Sequence, residues 1–111
     1  MFTPRLQNDQ TDLLIRALLC LDTSEEAYRF LEDVLTVQEL KSITQRLEVA
    51  VLLRRKVTYQ DIARETGAST ATISRVNRAL QYGADGYSLV LDRLSHPKAC
   101  TTEGEEEDSI V

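Results

Sequence analysis

Apolar residues recur every three or four positions along most of the chain, which is the spacing of one face of an α-helix. The pattern predicts six helices, and no alternating strand pattern or internal repeat accompanies it, so the predicted class is all-α. The apolar faces of the first three helices consist of Leu13, Leu14, Ala17, Leu18 and Leu21, then Ala27, Phe30, Leu31, Val34 and Leu35, and then Leu40, Ile43, Leu47, Ala50 and Val51, the third helix running to about Arg55.

Polar residues with capping chemistry stand where the helices are predicted to begin. Thr23 with Glu26 and Thr36 with Glu39 fit capping boxes, in which the hydroxyl and the carboxylate each accept a free amide proton. Thr58 suits the start of a short fourth helix that ends at Gly67, because glycine adopts the left-handed conformation that closes a helix.

The fifth helix is predicted to begin at a cap formed by Ser69 or Thr70 and to break near Gly83. Its inward residues are expected to be Ile73, Val76 and Leu80, and those of the sixth helix, which ends before Pro97, Tyr87, Val90, Leu91 and Leu94. We therefore expect one domain over residues 1–96, with dimerisation helices at about 10–56, a helix-turn-helix at about 58–81 and a final helix at about 85–95. The acidic segment 97–111 is predicted to be a disordered tail.

The net charge of −5 over 111 residues argues at first against a nucleic-acid partner. The distribution of charge reverses that conclusion, since residues 54–78 are locally basic and a local positive face binds phosphates whatever the total. Their cations are Arg54, Arg55, Lys56, Arg64, Arg75 and Arg78, against Asp61 and Glu65. For the first three, a role on DNA and stabilisation of a helix C-terminus are both open.

Other features of the composition narrow the class. No membrane span or secretory signal is recognised, so we expect a cytoplasmic protein. Cys20 and Cys100 lack the spacing of zinc ligands, His96 is the single histidine, and both thiols are expected to be reduced. No metal-site cluster, nucleophile pair or glycine-rich phosphate loop points to an enzyme, so we predict that the chain is not one and needs no metal.

The stretch TGASTATISR, residues 66–75, meets the demands of a helix-turn-helix. Ala63 permits the close approach of two helices, Gly67 makes the turn, and Ala68, Ile73 and Val76 pack the second helix onto the body. Such a second helix presents its exposed residues to base edges in the major groove. The expected base-reading residues are Ser69, Thr70, Ala71, Ser74, Arg75 and Arg78, and the expected phosphate contacts come from Thr58, Tyr59, Gln60 and Arg64.

From residue 35 to about residue 94 the sequence resembles the tryptophan repressor family. The resemblance is most specific at Gly67 and Ala68, in the segment ATISR at residues 71–75, and at Leu35, Thr36 and Arg46. It is closest to the branch of that family found in Gram-positive bacteria. It implies an intertwined homodimer with two reading heads that represses transcription at a palindromic operator.

The resemblance also implies a candidate ligand pocket. In the family, tryptophan lies between the core and the reading heads, and Leu35, Thr36, Arg46 and Arg75 fall at matching positions. The chain departs from the family at Val76, where the repressor has glycine, and at Ala79, where it has serine. Valine would fill space that the indole needs and alanine removes a polar partner for the amino group of tryptophan, so we expect no tryptophan corepressor. For Arg46, a surface ion pair is favoured over ligand binding.

Two alternatives to a DNA-binding regulator follow from the same residues. The helix-turn-helix could serve as a protein interaction module, or it could need a partner for DNA binding. Binding through an apolar protein interface would depend little on salt, unlike binding to DNA phosphates. A nucleic-acid enzyme is the other, and the lack of catalytic groups argues against it. The acidic run from Glu103 to Asp108 either solubilises the protein or competes with DNA for the basic face.

Overall fold

The computed structural model describes residues 2–96 and contains six α-helices and no strand within that range. The helices are α1 (Asp9–Leu19), α2 (Ser24–Val34), α3 (Val37–Arg54), α4 (Tyr59–Thr66), α5 (Thr70–Tyr82) and α6 (Gly86–Leu94). The predicted all-α class and the number of helices are confirmed. The predicted tail, with Cys100 and the run from Glu103 to Asp108, lies outside the described residues.

The predicted caps account for most of the helix starts. At α3, the Thr36 hydroxyl accepts from the Glu39 amide at 3.0 Å, and the Glu39 carboxylate accepts from the Thr36 amide at 2.9 Å, which completes a capping box. At α2, the Thr23 hydroxyl accepts from the Glu26 amide, but the Glu26 carboxylate accepts from the amide of Asp22, at 2.8 Å. The capping box predicted at Thr23 was therefore wrong in one of its two hydrogen bonds. The flexible Glu26 side chain accepts from the amide one residue before Thr23 instead of from the Thr23 amide.

The hydrophobic core lies among α3, α4, α5 and α6. α3 contacts each of the other three, and α5 also contacts α4 and α6. Eight residues of the range 2–96 are buried: Val49, Ala50, Val51, Ile62, Ala68, Ile73, Val76 and Leu91. α3 thus forms the support on which the short α4 and the longer α5 are held.

The two N-terminal helices differ from this core, because neither α1 nor α2 contains a buried residue. The apolar stripe of α1 remains largely exposed, with Leu13 61% and Leu14 45% accessible. On α6, Leu91 is buried and Tyr87 half-buried, whereas Val90 and Leu94 are exposed. The expectation that those last two are buried was wrong for a single chain, since no element within residues 2–96 covers that side of the helix.

Two glycines end helices for different reasons. Gly67 closes α4 with φ 76°, in the left-handed region, and its amide donates to the Ala63 carbonyl at 2.9 Å. Gly83 follows α5, where a Cβ atom would lie 2.5 Å from the Ala79 carbonyl oxygen. Both predicted breaks are confirmed.

The end of α3 uses a residue with a side chain where glycine is common. Lys56 has φ 66°, its amide donates to the Leu53 carbonyl, and the Val57 amide donates to the Leu52 carbonyl. This pair of bonds is the Schellman arrangement, and it turns the half-buried Val57 back towards the core. α4 therefore starts from a fixed position.

None of the helices within residues 2–96 is long and apolar enough to cross a membrane. Cys20 is an exposed free thiol just after α1.

Candidate nucleic-acid interface

The pair α4 and α5 forms the predicted helix-turn-helix. The Thr58 hydroxyl caps α4 by accepting from the Asp61 amide at 3.2 Å, and the Ser69 hydroxyl caps α5 by accepting from the Thr72 amide at 3.1 Å. Only residues 67–69 separate the two helices. The cap of α5 is thus Ser69, and Thr70 is the first helical residue.

The buried residues of the pair fix which side of α5 faces outward. Ile62 of α4, Ala68 of the turn, and Ile73 and Val76 of α5 all belong to the core. Because an α-helix has 3.6 residues per turn, residues between these positions project on the other side. The exposed set on that side comprises Thr70, Ala71, Ser74, Arg75 and Arg78, five of the six predicted base-reading residues.

The sixth, Ser69, is exposed but its hydroxyl is already engaged. It accepts from the Thr72 amide and donates to the Thr72 hydroxyl oxygen at 3.1 Å. In contrast, Arg75 and Arg78 have no ion pair with any residue in the range 2–96. The guanidinium groups of α5 therefore have their hydrogen-bond donors available.

The four predicted phosphate contacts lie together on α4 and its cap. Thr58, Tyr59, Gln60 and Arg64 are all exposed. Arg64 forms an ion pair with Asp61, one turn earlier on the same helix, and both side chains remain accessible to solvent. Since exposed pairs of this kind are weak, a phosphate can replace the carboxylate as the partner of Arg64.

The three cations at the end of α3 differ in their surroundings. The Arg54 guanidinium donates to the Asp92 carboxylate at 2.8 Å and to the Ser88 carbonyl at 3.5 Å, so it ties α3 to α6. Arg55 and Lys56 are exposed beside the cap of α4. A structural contact thus explains Arg54, which has no need of a nucleic acid.

The four candidate pocket residues do not converge within one chain. Thr36 caps the start of α3, and Arg46 lies ten residues further along it, about 15 Å away at the helical rise. Leu35 and Arg46 are half-buried, Arg75 is exposed, and Arg46 has no ion pair among residues 2–96. A shared pocket would therefore require a second copy of the chain.

Other binding features lie away from the helix-turn-helix. A groove of about 740 Å³ runs between the N-terminal segment and α1, lined in part by Phe2, Leu6 and Ile15. No cluster of residues suited to a metal ion is found between residues 2 and 96.

Two residues that support the helix-turn-helix were not predicted from the sequence. Gln45 of α3 donates from its side-chain amide to the Thr66 carbonyl at 3.1 Å, across 21 residues of sequence. Thr66 in turn bonds to both α4 and the turn through its hydroxyl. The one available signal was a glutamine beside the apolar stripe of α3, which does not reveal a partner so distant in the chain.

Comparison with known proteins agrees with this architecture. Residues 9–95, which include all six helices, match the family described as Trp repressor protein. An uncharacterized protein, YerC of Bacillus subtilis (strain 168), is 51% identical over 90 residues, which cover 81% of this chain and 86% of that protein.

Two solved structures are similar in both sequence and fold. A TrpR like protein from Eubacterium eligens ATCC 27750 is 54% identical with a TM-score of 0.78, covering 82% of this chain and 94% of its own. A candidate Trp repressor from Staphylococcus aureus is 47% identical with a TM-score of 0.78, covering 82% and 91%. The fold is thus Trp-repressor-like.

Proposed function

The chain belongs to the Trp repressor family, and we propose that it is a homodimer that binds a palindromic operator in double-stranded DNA and represses transcription. The family is one of helix-turn-helix DNA-binding regulators rather than enzymes. The observation that carries the proposal is the outward face of α5, where two arginines without an ion pair among residues 2–96 stand beside short polar and methyl-bearing side chains.

Reading of bases is assigned to α5 because of the chemistry of its exposed residues. Arg75 and Arg78 can donate two parallel hydrogen bonds to guanine, the hydroxyl groups of Thr70 and Ser74 reach several base edges, and the Ala71 methyl contacts the methyl group of thymine. Ser69 acts chiefly as the cap that starts this helix. Sequence preference then rests mainly on the five residues whose polar or methyl groups are free.

Phosphate contacts are assigned to the start of α4. The hydroxyl of Tyr59, the amide of Gln60 and the guanidinium of Arg64 are exposed on one short helix, and Thr58 lies just before it. Contacts of this kind fix register on the duplex but carry no sequence information. Arg64→Ala is expected to lower the slope of log affinity against log salt by about 0.9.

A second copy of the chain is the proposed cover for α1 and α2. Monomeric proteins rarely leave large contiguous apolar surfaces in water, yet neither helix has a buried residue. A twofold dimer would also present two copies of α5 at a spacing of about 34 Å, one turn of DNA. The palindrome follows from that symmetry.

A tryptophan corepressor has no part in the proposal, because the residues present do not fit it. Val76, next to Arg75, is 1% exposed and packs in the core, where the family has a glycine and an open space for the indole. Ala79 offers no hydroxyl to the amino group of a ligand. Binding of DNA is therefore expected without tryptophan.

Selection from random DNA duplexes tests the proposal. The full chain is incubated with the pool, with and without tryptophan, and the bound fraction is sequenced over several rounds. Enrichment of a twofold palindrome is expected, unchanged by tryptophan. With the enriched duplex, Arg75→Ala should weaken binding by about 1–3 kcal/mol, whereas Arg93→Ala, an exposed arginine on α6, should not.

The other outcomes identify the alternatives. Binding without an enriched sequence would contradict a reader of operators. Absence of binding at low salt would favour a protein interaction module or a regulator that needs a partner. Enrichment that required tryptophan would overturn the assignment of Val76. In every case, repression requires a reporter whose promoter carries the enriched site.

A further inference from the structure

The C-terminal end of α4 carries a carbonyl group that the helix itself does not satisfy. The last carbonyls of any α-helix lack an amide partner four residues on, and Thr66 is the final residue of α4. Its carbonyl accepts instead from the side-chain amide of Gln45, at 3.1 Å in a partly buried position. A residue of α3 thus holds the point at which α4 ends and the turn begins.

The hydroxyl of Thr66 extends this contact in both directions. It donates to the Ile62 carbonyl at 2.8 Å, one turn back in α4, and accepts from the Ala68 amide at 3.1 Å, in the turn. Gly67 lies between them in the left-handed conformation. One side chain therefore links the last turn of α4 to the residue just before the cap of α5.

We infer that Gln45 and Thr66 form a polar clamp that sets the orientation of α5, which makes Gln45 a positioning residue for base reading although it lies outside the helix-turn-helix. The inference rests on the proposed function, since it concerns how the same helix reads DNA. It adds a residue of α3 to the determinants of specificity.

The geometry explains why specificity should suffer most. Without Gln45, the partly buried Thr66 carbonyl loses its partner, and the turn relaxes towards solvent to recover one. The buried side chains of Ile62 and Ile73 keep both helices on the core, so the protein remains folded. A small rotation of α5 disturbs paired hydrogen bonds to base edges, whereas phosphate contacts from α4 tolerate it.

Four single variants of the full chain test the clamp. Gln45→Leu removes its donor, Thr66→Val removes the hydroxyl at nearly constant shape, and Thr66→Ser retains it. Gln38→Leu repeats the first change at an exposed position of the same helix. Thermal unfolding of each variant confirms that it folds.

Amide hydrogen exchange gives a readout that needs no DNA. In Gln45→Leu the amide of Ala68, which donates to Thr66 and not to Gln45, should exchange roughly fivefold faster, the effect of losing one net hydrogen bond. Thr66→Val should match or exceed this, and Thr66→Ser and Gln38→Leu should resemble the native chain. Unchanged exchange at Ala68 in Gln45→Leu would overturn the clamp, whether or not the protein binds DNA.

Binding to the selected palindrome and to unrelated duplex then tests the role in specificity. Gln45→Leu and Thr66→Val should lower the ratio of specific to non-specific affinity by roughly fivefold, with Thr66→Ser restoring it. An equal loss on both duplexes, or none, would overturn the positioning role. If the native chain selects no sequence, the proposed function fails while the exchange measurement still decides on the clamp.

Discussion

The N-terminal helices α1 and α2 and the core helices α3 to α6 both carry apolar residues at helical spacing but use them differently. Between α3 and α6, eight apolar residues are buried against one another. In α1 and α2, stripes of the same spacing bury none. The comparison teaches that periodicity predicts a helix and its apolar face, whereas the surface that this face meets is a separate question.

The difference also separates two sources of stability. Residues such as Ile62 and Ile73 are withdrawn from water by the chain's own fold. The stripe on α1 gains that benefit only when something else covers it, and a second copy is our proposal. The effect on stability of a substitution in α1 or α2 should therefore depend on protein concentration more than that of a substitution in α3 to α6.

Truncation of a core residue is expected to have the largest effect. Ile73 is 0% exposed between α5 and α3, so Ile73→Ala loses its burial and leaves a cavity. The free energy of unfolding in urea should fall by about 2–5 kcal/mol. Ser74→Ala, the exposed neighbour, should change it by less than about 0.5 kcal/mol. Equal effects at the two positions would contradict the assignment of the core to α3 to α6.

Charges placed on the stripe of α1 should act on assembly instead. Leu14 and Leu18 are one helical turn apart on α1 and both remain exposed. With Asp at both positions, dimer formation would bury unpaired carboxylates, so the dissociation constant should rise by at least about a hundredfold. Sedimentation velocity over a concentration series measures it, with Glu65→Ala, at an exposed position of α4 away from the proposed dimer surface, as the control. A native chain that sediments as a monomer throughout would refute the homodimer.

Local sequence rules predicted most of the fold because their causes are local. Thr36 and Glu39 lie three residues apart, so their capping box follows from the chain alone. The left-handed Gly67 follows in the same way. The outward face of α5 also followed from the periodicity of Ile73 and Val76.

Interactions distant in sequence were not predicted. The contact of Gln45 with Thr66 spans 21 residues, and that of Arg54 with Asp92 spans 38. Nothing in a local pattern selects such partners. The exposure of Val90 and Leu94 was missed for a related reason, because an apolar stripe does not show whether its partner lies in the same chain.

The stability of the core helices α3 to α6 should be sensitive to a single methyl group in the turn between α4 and α5. Gly67 has φ 76°, a conformation strained for any residue with a Cβ atom, so Gly67→Ala should lower the free energy of unfolding by about 1 kcal/mol. Gly86 begins α6 with nothing within 4 Å of an added Cβ. Gly86→Ala should therefore leave the free energy of unfolding unchanged or slightly higher. Urea unfolding measures both variants. A neutral Gly67→Ala would show that the turn is not held in this conformation.

The smallest expected difference between the N-terminal helices and the core helices is in the strength of their ion pairs. Glu25 and Arg29 pair at 2.9 Å within α2, with side chains 73% and 75% exposed. Arg54 and Asp92 pair at 2.8 Å between α3 and α6, with side chains 40% and 62% exposed. The first pair links residues of a helix that has no buried residue, whereas the second joins two elements of the core.

Double-mutant cycles with alanine measure the coupling of each pair in urea unfolding. We expect about 0.3–0.5 kcal/mol for Glu25 with Arg29, as for other exposed pairs one helical turn apart, and up to about 1 kcal/mol for Arg54 with Asp92. The latter should be larger because α3 and α6 are already held together by packing, so less side-chain freedom is lost when the pair forms. Both couplings should shrink in high salt. A coupling in α2 that equalled or exceeded the one between α3 and α6 would show that α2 is as firmly packed in solution as the core, held by a cover that lies outside residues 2–96.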